Sequence, residues 1–145
     1  MNWKAEATDK LRRYGSVRLA AINIPEEIKR LQMEAQGIRA ARTDTVPVSG
    51  GESKREDALI NNILHRKELE ETLKQVKLWL TTTDRAMSVL SSEEKLILHR
   101  LLIYPQPRAI EQLCQEFEIE QSTLYRRRDH ALYRFTLALY GICEI

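Results

Sequence analysis

Glycine and proline are scarce in this 145-residue sequence, at five and four residues. A β protein of this size needs many more turn formers, so the scarcity points away from sheet and toward helices. Cysteine is scarcer still. Cys114 and Cys143 can build neither a disulfide framework nor a four-ligand metal set, and Cys114 falls in an apolar pattern that reads as a small core position. No apolar run approaches the roughly 18 residues of a membrane span, and no charged-then-apolar leader opens the chain. A reducing cytoplasm with no membrane partner is the expected setting. An excess of one charge is missing too: 30% of residues are charged but the formal net charge is only +2. Bulk electrostatics therefore does not announce a polyanionic partner, and the distribution of charge has to be asked for instead.

Catalytic patterns are also lacking. His65, His99 and His130 stand far apart without metal-ligand companions, and no nucleophile motif or acid pair stands out. Ser49-Gly50-Gly51-Glu52-Ser53-Lys54 has neither the spacing of a phosphate-binding loop nor a preceding strand. No enzyme activity, metal or cofactor is expected.

What is present is helical periodicity. Residues 3–23 carry Trp3, Ala7, Leu11, Tyr14, Arg18 and Ala21 about one turn apart, with Tyr14-Gly15-Ser16 a point of loosening. Ile24-Pro25-Glu26-Glu27 then reads as a second helix start, because proline suits the first helical position and acids suit the helix dipole there. Ile28, Leu31, Ala35 and Ile38 form one face of that second run, and the two runs predict an antiparallel helical hairpin. Residues 43–54, with Pro47, Gly50 and Gly51, read as a loop. From Arg55 a long helix is expected whose seam runs Leu59, Asn62, Arg66, Leu69, Leu73, Val76, Leu80, Thr83, Met87 and Leu90, spaced by threes and fours as in coiled coils. The β-branched run Thr81-Thr82-Thr83 is a place where that helix can end early. Packing of the seam on the N-terminal hairpin and pairing with a second copy, a homodimer through Leu69, Leu73, Val76 and Leu80, both satisfy the pattern.

Ser91-Ser92-Glu93-Glu94 opens the next helix with a capping box, and Tyr104-Pro105-Gln106-Pro107 stops it. Ile110, Leu113 and Phe117 share one face of a short helix; after a brief interruption, Leu124, Ala131, Leu132, Phe135, Ala138 and Leu139 mark a second. Two short helices joined by three or four residues, the second rich in cations, have the layout of a DNA-reading helix-turn-helix. Residues 91–145 carry seven Lys/Arg and eight Asp/Glu, yet Gln121 to Arg134 holds four arginines against one aspartate. Gln121, Ser122, Tyr125, Arg126 and Asp129 are expected on the outward face. Gln121 has the amide geometry for adenine, Arg126 for guanine or phosphate, and Ser122 and Thr123 are short enough to touch backbone oxygens. Arg127 and Arg128 straddle the inward stripe, placing at least one on the flank toward a phosphate. Simple solvation of the helix, or pairing with Glu116, Glu118 or Glu120, is the plain structural account of the same arginines.

The runs Leu90 to Leu98, Ile110 to Phe117 and Ser122 to Leu132 resemble region 4 of bacterial sigma factors, the part that recognises the −35 promoter element. With the upstream helices and Pro47 to Gly51, the whole chain resembles the small phage-encoded sigma-like regulators of the ArpU/RinA type, which act on late phage genes. The resemblance implies base reading by Gln121 and Ser122, with Arg126 beside them. Two positions depart from that pattern: Glu118 stands where the turn usually has glycine, and Glu120 stands where the reading helix usually has a Ser or Thr cap. Nothing in residues 1–89 matches a sigma domain that melts promoters or grips the polymerase core.

The expectation is thus an all-α protein: an N-terminal hairpin and long coiled-coil-like helix over 1–89, and a helix-turn-helix domain over 90–145. It would bind double-stranded promoter DNA and control transcription, most simply as an activator of late genes, with RNA polymerase a further candidate partner. One rival is a small terminase-like subunit that recognises DNA for packaging. Another is a protein-interaction module acting on RNA polymerase without DNA, using the acids around the turn.

Overall fold

The computed structural model describes residues 2–43 and 51–141. Among these, α1 spans Trp3–Thr43, α2 Gly51–Ser88, α3 Ser92–Leu98, α4 Ala109–Phe117 and α5 Gln121–Tyr140, and a π-helical turn, His99–Ile103, extends α3. α1 and α2 form a long antiparallel pair, shorter helices follow, and no strand occurs among the described residues. The all-α class is as expected, and no helix among the described residues is long and apolar enough to cross a membrane.

The N-terminal hairpin is built differently from the expectation. Residues 3–43 are one helix, and Pro25 lies inside it. A proline there removes one ladder bond and costs about 3 kcal/mol. Pro25 is exposed, while Leu31 and Ala35 further along the helix are buried, so packing of that apolar face holds the helix through the break. The hairpin partner of α1 is α2. Of the expected loop 43–54, Thr43 closes α1 and Gly51 to Lys54 begin α2; residues 44–50, with Pro47 and Gly50, lie outside the described residues, as does Cys143. The threonine run does not end α2 either. The hydroxyls of Thr82 and Thr83 donate to the carbonyls of Leu78 and Trp79, at 2.9 and 2.7 Å, which keeps these side chains satisfied within the helix.

The chain packs as two compact units, which group residues differently from a division at 89/90. One is Leu19–Lys77; the other combines Met1–Arg18 with Leu78–Ile145. In the first unit the seam residues Leu59, Arg66, Leu69, Leu73 and Val76 are half-buried and Asn62 is buried. Asn62 Nδ2 donates to the Leu31 carbonyl at 2.8 Å, and Asn62 Oδ1 accepts from Arg66 Nε at 2.8 Å. In this unit the seam therefore lies against α1 of the same chain. A buried amide satisfied on both sides fixes register, since any slip along the seam leaves it unpaired.

In the second unit, Leu11, Leu98, Ala131, Leu132 and Phe135 belong to one fully or almost fully buried cluster. A smaller cluster holds Ile97, Leu113 and Leu124, flanked by Ile110, Cys114, Phe117 and Ile119. Burial of each such Leu, Ile or Phe side chain is worth about 1.5–3 kcal/mol. Gly15 does not loosen α1; a Cβ there would stand 3.0 Å from Tyr104 Cε1, so the glycine permits close approach of the Tyr104 ring. The Tyr14 hydroxyl donates to Asp84 Oδ1 at 2.5 Å. Burial, then this hydrogen bond, push the Tyr14 phenol up to about 12.

Candidate nucleic-acid interface

The capping box forms as the sequence implies. Ser91 Oγ accepts from the Glu94 N–H at 3.1 Å, and Glu94 Oε1 accepts from the Ser91 N–H at 3.0 Å. Arg134 of α5 also donates to Glu94 Oε1, and through its other terminal nitrogen to the Val89 carbonyl at 2.9 Å. One arginine thus ties α5 to the turn before α3. Burial raises the Glu94 carboxyl, but the bonds from Ser91 and the charges of Arg134 and His130 outweigh it and hold the group below its ordinary value.

α4 ends in a Schellman-type turn. The Ile119 N–H donates to the Cys114 carbonyl at 3.1 Å and the Glu118 N–H to the Gln115 carbonyl at 3.3 Å, while Glu118 takes the left-handed conformation at φ 53°. Cys114 and Ile119 both pack on the smaller core cluster, the apolar contact that accompanies this motif. Glu118 therefore occupies the backbone position for which glycine is the usual residue. Glu120 precedes α5 in an extended conformation and its side chain caps nothing, which leaves the first-turn amides of α5 open.

α5 sorts its residues by face. Leu124, Ala131, Leu132, Phe135 and Thr136 are buried. Gln121, Ser122 and Arg126 are exposed on the first turn and a half, with Tyr125 half-buried beside them. Gln121 Nε2 donates to the Tyr125 hydroxyl at 2.6 Å, so the amide proposed for adenine already has a partner on its own helix. Arg126 and Arg127 are both exposed, and among the described residues Arg126 has no acidic partner. Arg127 donates to Glu93 of α3. Arg128 stacks its guanidinium over the Tyr125 ring, 4.8 Å from the centroid, and donates to Asp129 Oδ1 at 3.1 Å. Both therefore lie on flanks, on opposite sides of the outward face. Thr123 is half-buried and lines a groove of about 500 Å³ between α3 and α5 with Ser91, Arg126 and Arg127.

Of the acids expected to neutralise these arginines, Glu116 pairs with Arg100 at 2.8 Å, while Glu118 and Glu120 are exposed and have no ion-pair partner among the described residues. The acids that do bind the triplet are Glu93 and Asp129. The helical pattern puts Asp129 on the outward face but gives no sign of its partner. Lys4 Nζ, from the first turn of α1, stands 2.8 Å from Asp129 Oδ2, and Trp3 meets Tyr133 edge to face with centroids 5.8 Å apart. No family model matches this sequence, and neither does any curated protein or any solved structure.

Proposed function

We propose that this chain binds duplex DNA through α4 and α5 and regulates transcription from promoter DNA, activating late genes as the phage sigma-like regulators do whose region 4 pattern its C-terminal part resembles. The observation that carries this reading is the first turn and a half of α5. There Gln121, Ser122 and the unpaired guanidinium of Arg126 stand exposed on a helix whose opposite face is locked into two cores. A helix in the major groove presents its N-terminal residues to base edges, and uncapped first-turn amides such as those of α5 suit a phosphate. Tyr125, Arg127 and Arg128 flank that surface and serve the phosphates on either side, with Thr123 at the groove toward α3.

A gel-shift or anisotropy titration across a salt series tests it, because counterion release makes affinity fall steeply as salt rises. Replacing Arg126 by Ala should cost about 1–3 kcal/mol, roughly five- to 150-fold in Kd. Arg127→Ala should cost less, since Arg127 must first leave Glu93. Binding that ignores salt, or is unchanged by Arg126→Ala, would reject the surface.

A second reading rests on Glu118 and Glu120, two exposed and unpaired carboxylates beside the start of α5. They repel phosphate and suit a basic protein surface, so RNA polymerase is the proposed second partner. Charge reversal at both should abolish co-purification with polymerase while DNA binding persists.

A further inference from the structure

The first turn of α1 lies on the outward face of α5, one to two turns beyond the exposed reading residues. Lys4 and Trp3 engage Asp129 and Tyr133, which continue the stripe of Ser122 and Arg126 along that helix. Asp129 is held from two sides: Lys4 Nζ at 2.8 Å on Oδ2, and Arg128 Nε and Nη2 at 3.2 and 3.1 Å on Oδ1. Partial burial pushes the Asp129 carboxyl up, but these bonds outweigh it and keep it ionised, so two cations share one negative charge. Arg128 is further fixed by its stack on Tyr125, and Lys4 remains nearly half exposed.

The spacing suits a duplex. Ser122 and Asp129 are seven residues apart, about 10 Å along a helix axis. The major groove is about 12 Å wide. With the first turn of α5 against base edges, the cations gathered at Asp129 stand at the level of the phosphate rim.

We propose that Lys4 and Arg128, gathered by Asp129, form a binding site for the DNA phosphodiester backbone, so that the N-terminal turn of α1 is part of the nucleic-acid interface. This rests on the DNA-binding reading above and assigns it a contact from the far end of the chain. Lys4 and Arg128 fix register on the backbone, and Asp129 is the intramolecular competitor from which both cations are drawn when phosphate arrives.

The test is a salt series on a mixed-sequence duplex, since phosphate contacts do not depend on base identity. Lys4→Ala should weaken binding several-fold on every duplex and lower the log–log salt slope by about one. Asp129→Asn should instead strengthen binding, because it removes a carboxylate from the rim and releases both cations. If Lys4 only braces α1 against α5, the two substitutions break the same bond and should weaken binding alike, or leave it alone; either result overturns the proposal. A wild-type chain that binds no duplex sinks the DNA reading itself. Wild-type binding with an unchanged slope for Lys4→Ala sinks only this site.

Discussion

Glu118 is the place where sequence and backbone disagree most plainly, and replacing it by glycine should stabilise the protein. The residue sits at φ 53° in the turn between α4 and α5. A side chain in the left-handed region costs about 1–2 kcal/mol. Glycine removes that cost but gives back roughly 0.4–1 kcal/mol, through the greater freedom of the unfolded chain. A carboxylate at a helix C-terminus adds a further unfavourable contribution of about 0.3–1 kcal/mol against the dipole. Its removal therefore brings the net gain for Glu118→Gly to roughly 1–2 kcal/mol. For a chain of this length, at roughly 3 °C per kcal/mol, the thermal midpoint should rise by about 3–6 °C. Glu118→Ala isolates the charge, because it keeps a Cβ at the same φ, and should gain no more than the dipole share. Differential scanning calorimetry of both variants at low ionic strength separates the two contributions. A Glu118→Gly protein no more stable than Glu118→Ala would show that the turn carries no relievable strain, and the reasoning would fail.

Three further outcomes follow from the same structure. Ser91→Ala should cost about 1 kcal/mol in urea unfolding, since it deletes one arm of the capping box. Asp129 and Glu94 both have folded carboxyls held below their ordinary values, near 3.9 and 4.3. Their stabilisation is fully present above those values and disappears as pH falls through the lower folded ones; Tyr14, raised to about 12, behaves oppositely, and its contribution fades as pH climbs from 10 toward 12. Stability curves against pH should therefore fall at both ends, and a Tyr14→Phe variant should lose the alkaline limb attributable to that phenol. Asn62→Leu should raise the thermal midpoint yet broaden the mass distribution in sedimentation velocity, because the buried amide that specifies Leu31 as its partner is gone; a sharp monomer would show that register is fixed elsewhere.

Much of the fold was legible because its signals are local. The pairing of Ser91 with Glu94 is three residues long, and the buried stripe through Leu124, Ala131 and Phe135 is set by helical spacing alone. The seam of α2 was readable as a covered face for the same reason. Periodicity says that a face is covered, not what covers it, and the partner within Leu19–Lys77 is α1. Pro25 misled because a local breaker was overruled by the apolar face it interrupts. At the candidate interface the identities of the exposed residues were readable, but their engagements were not. Arg127 meets Glu93 across 34 residues, and Lys4 meets Asp129 across 125. No spacing rule reaches that far. The π-helical turn had no visible signal.

That π-helical turn carries Leu101, a side chain that packs on both hydrophobic clusters of the C-terminal unit. Because the pieces share a keystone, α4 and α5 have no seam along which to come away by themselves. Heating or denaturant should take the whole unit through one cooperative melt, and an isolated fragment beginning at α4 would lack the floor on which it stands.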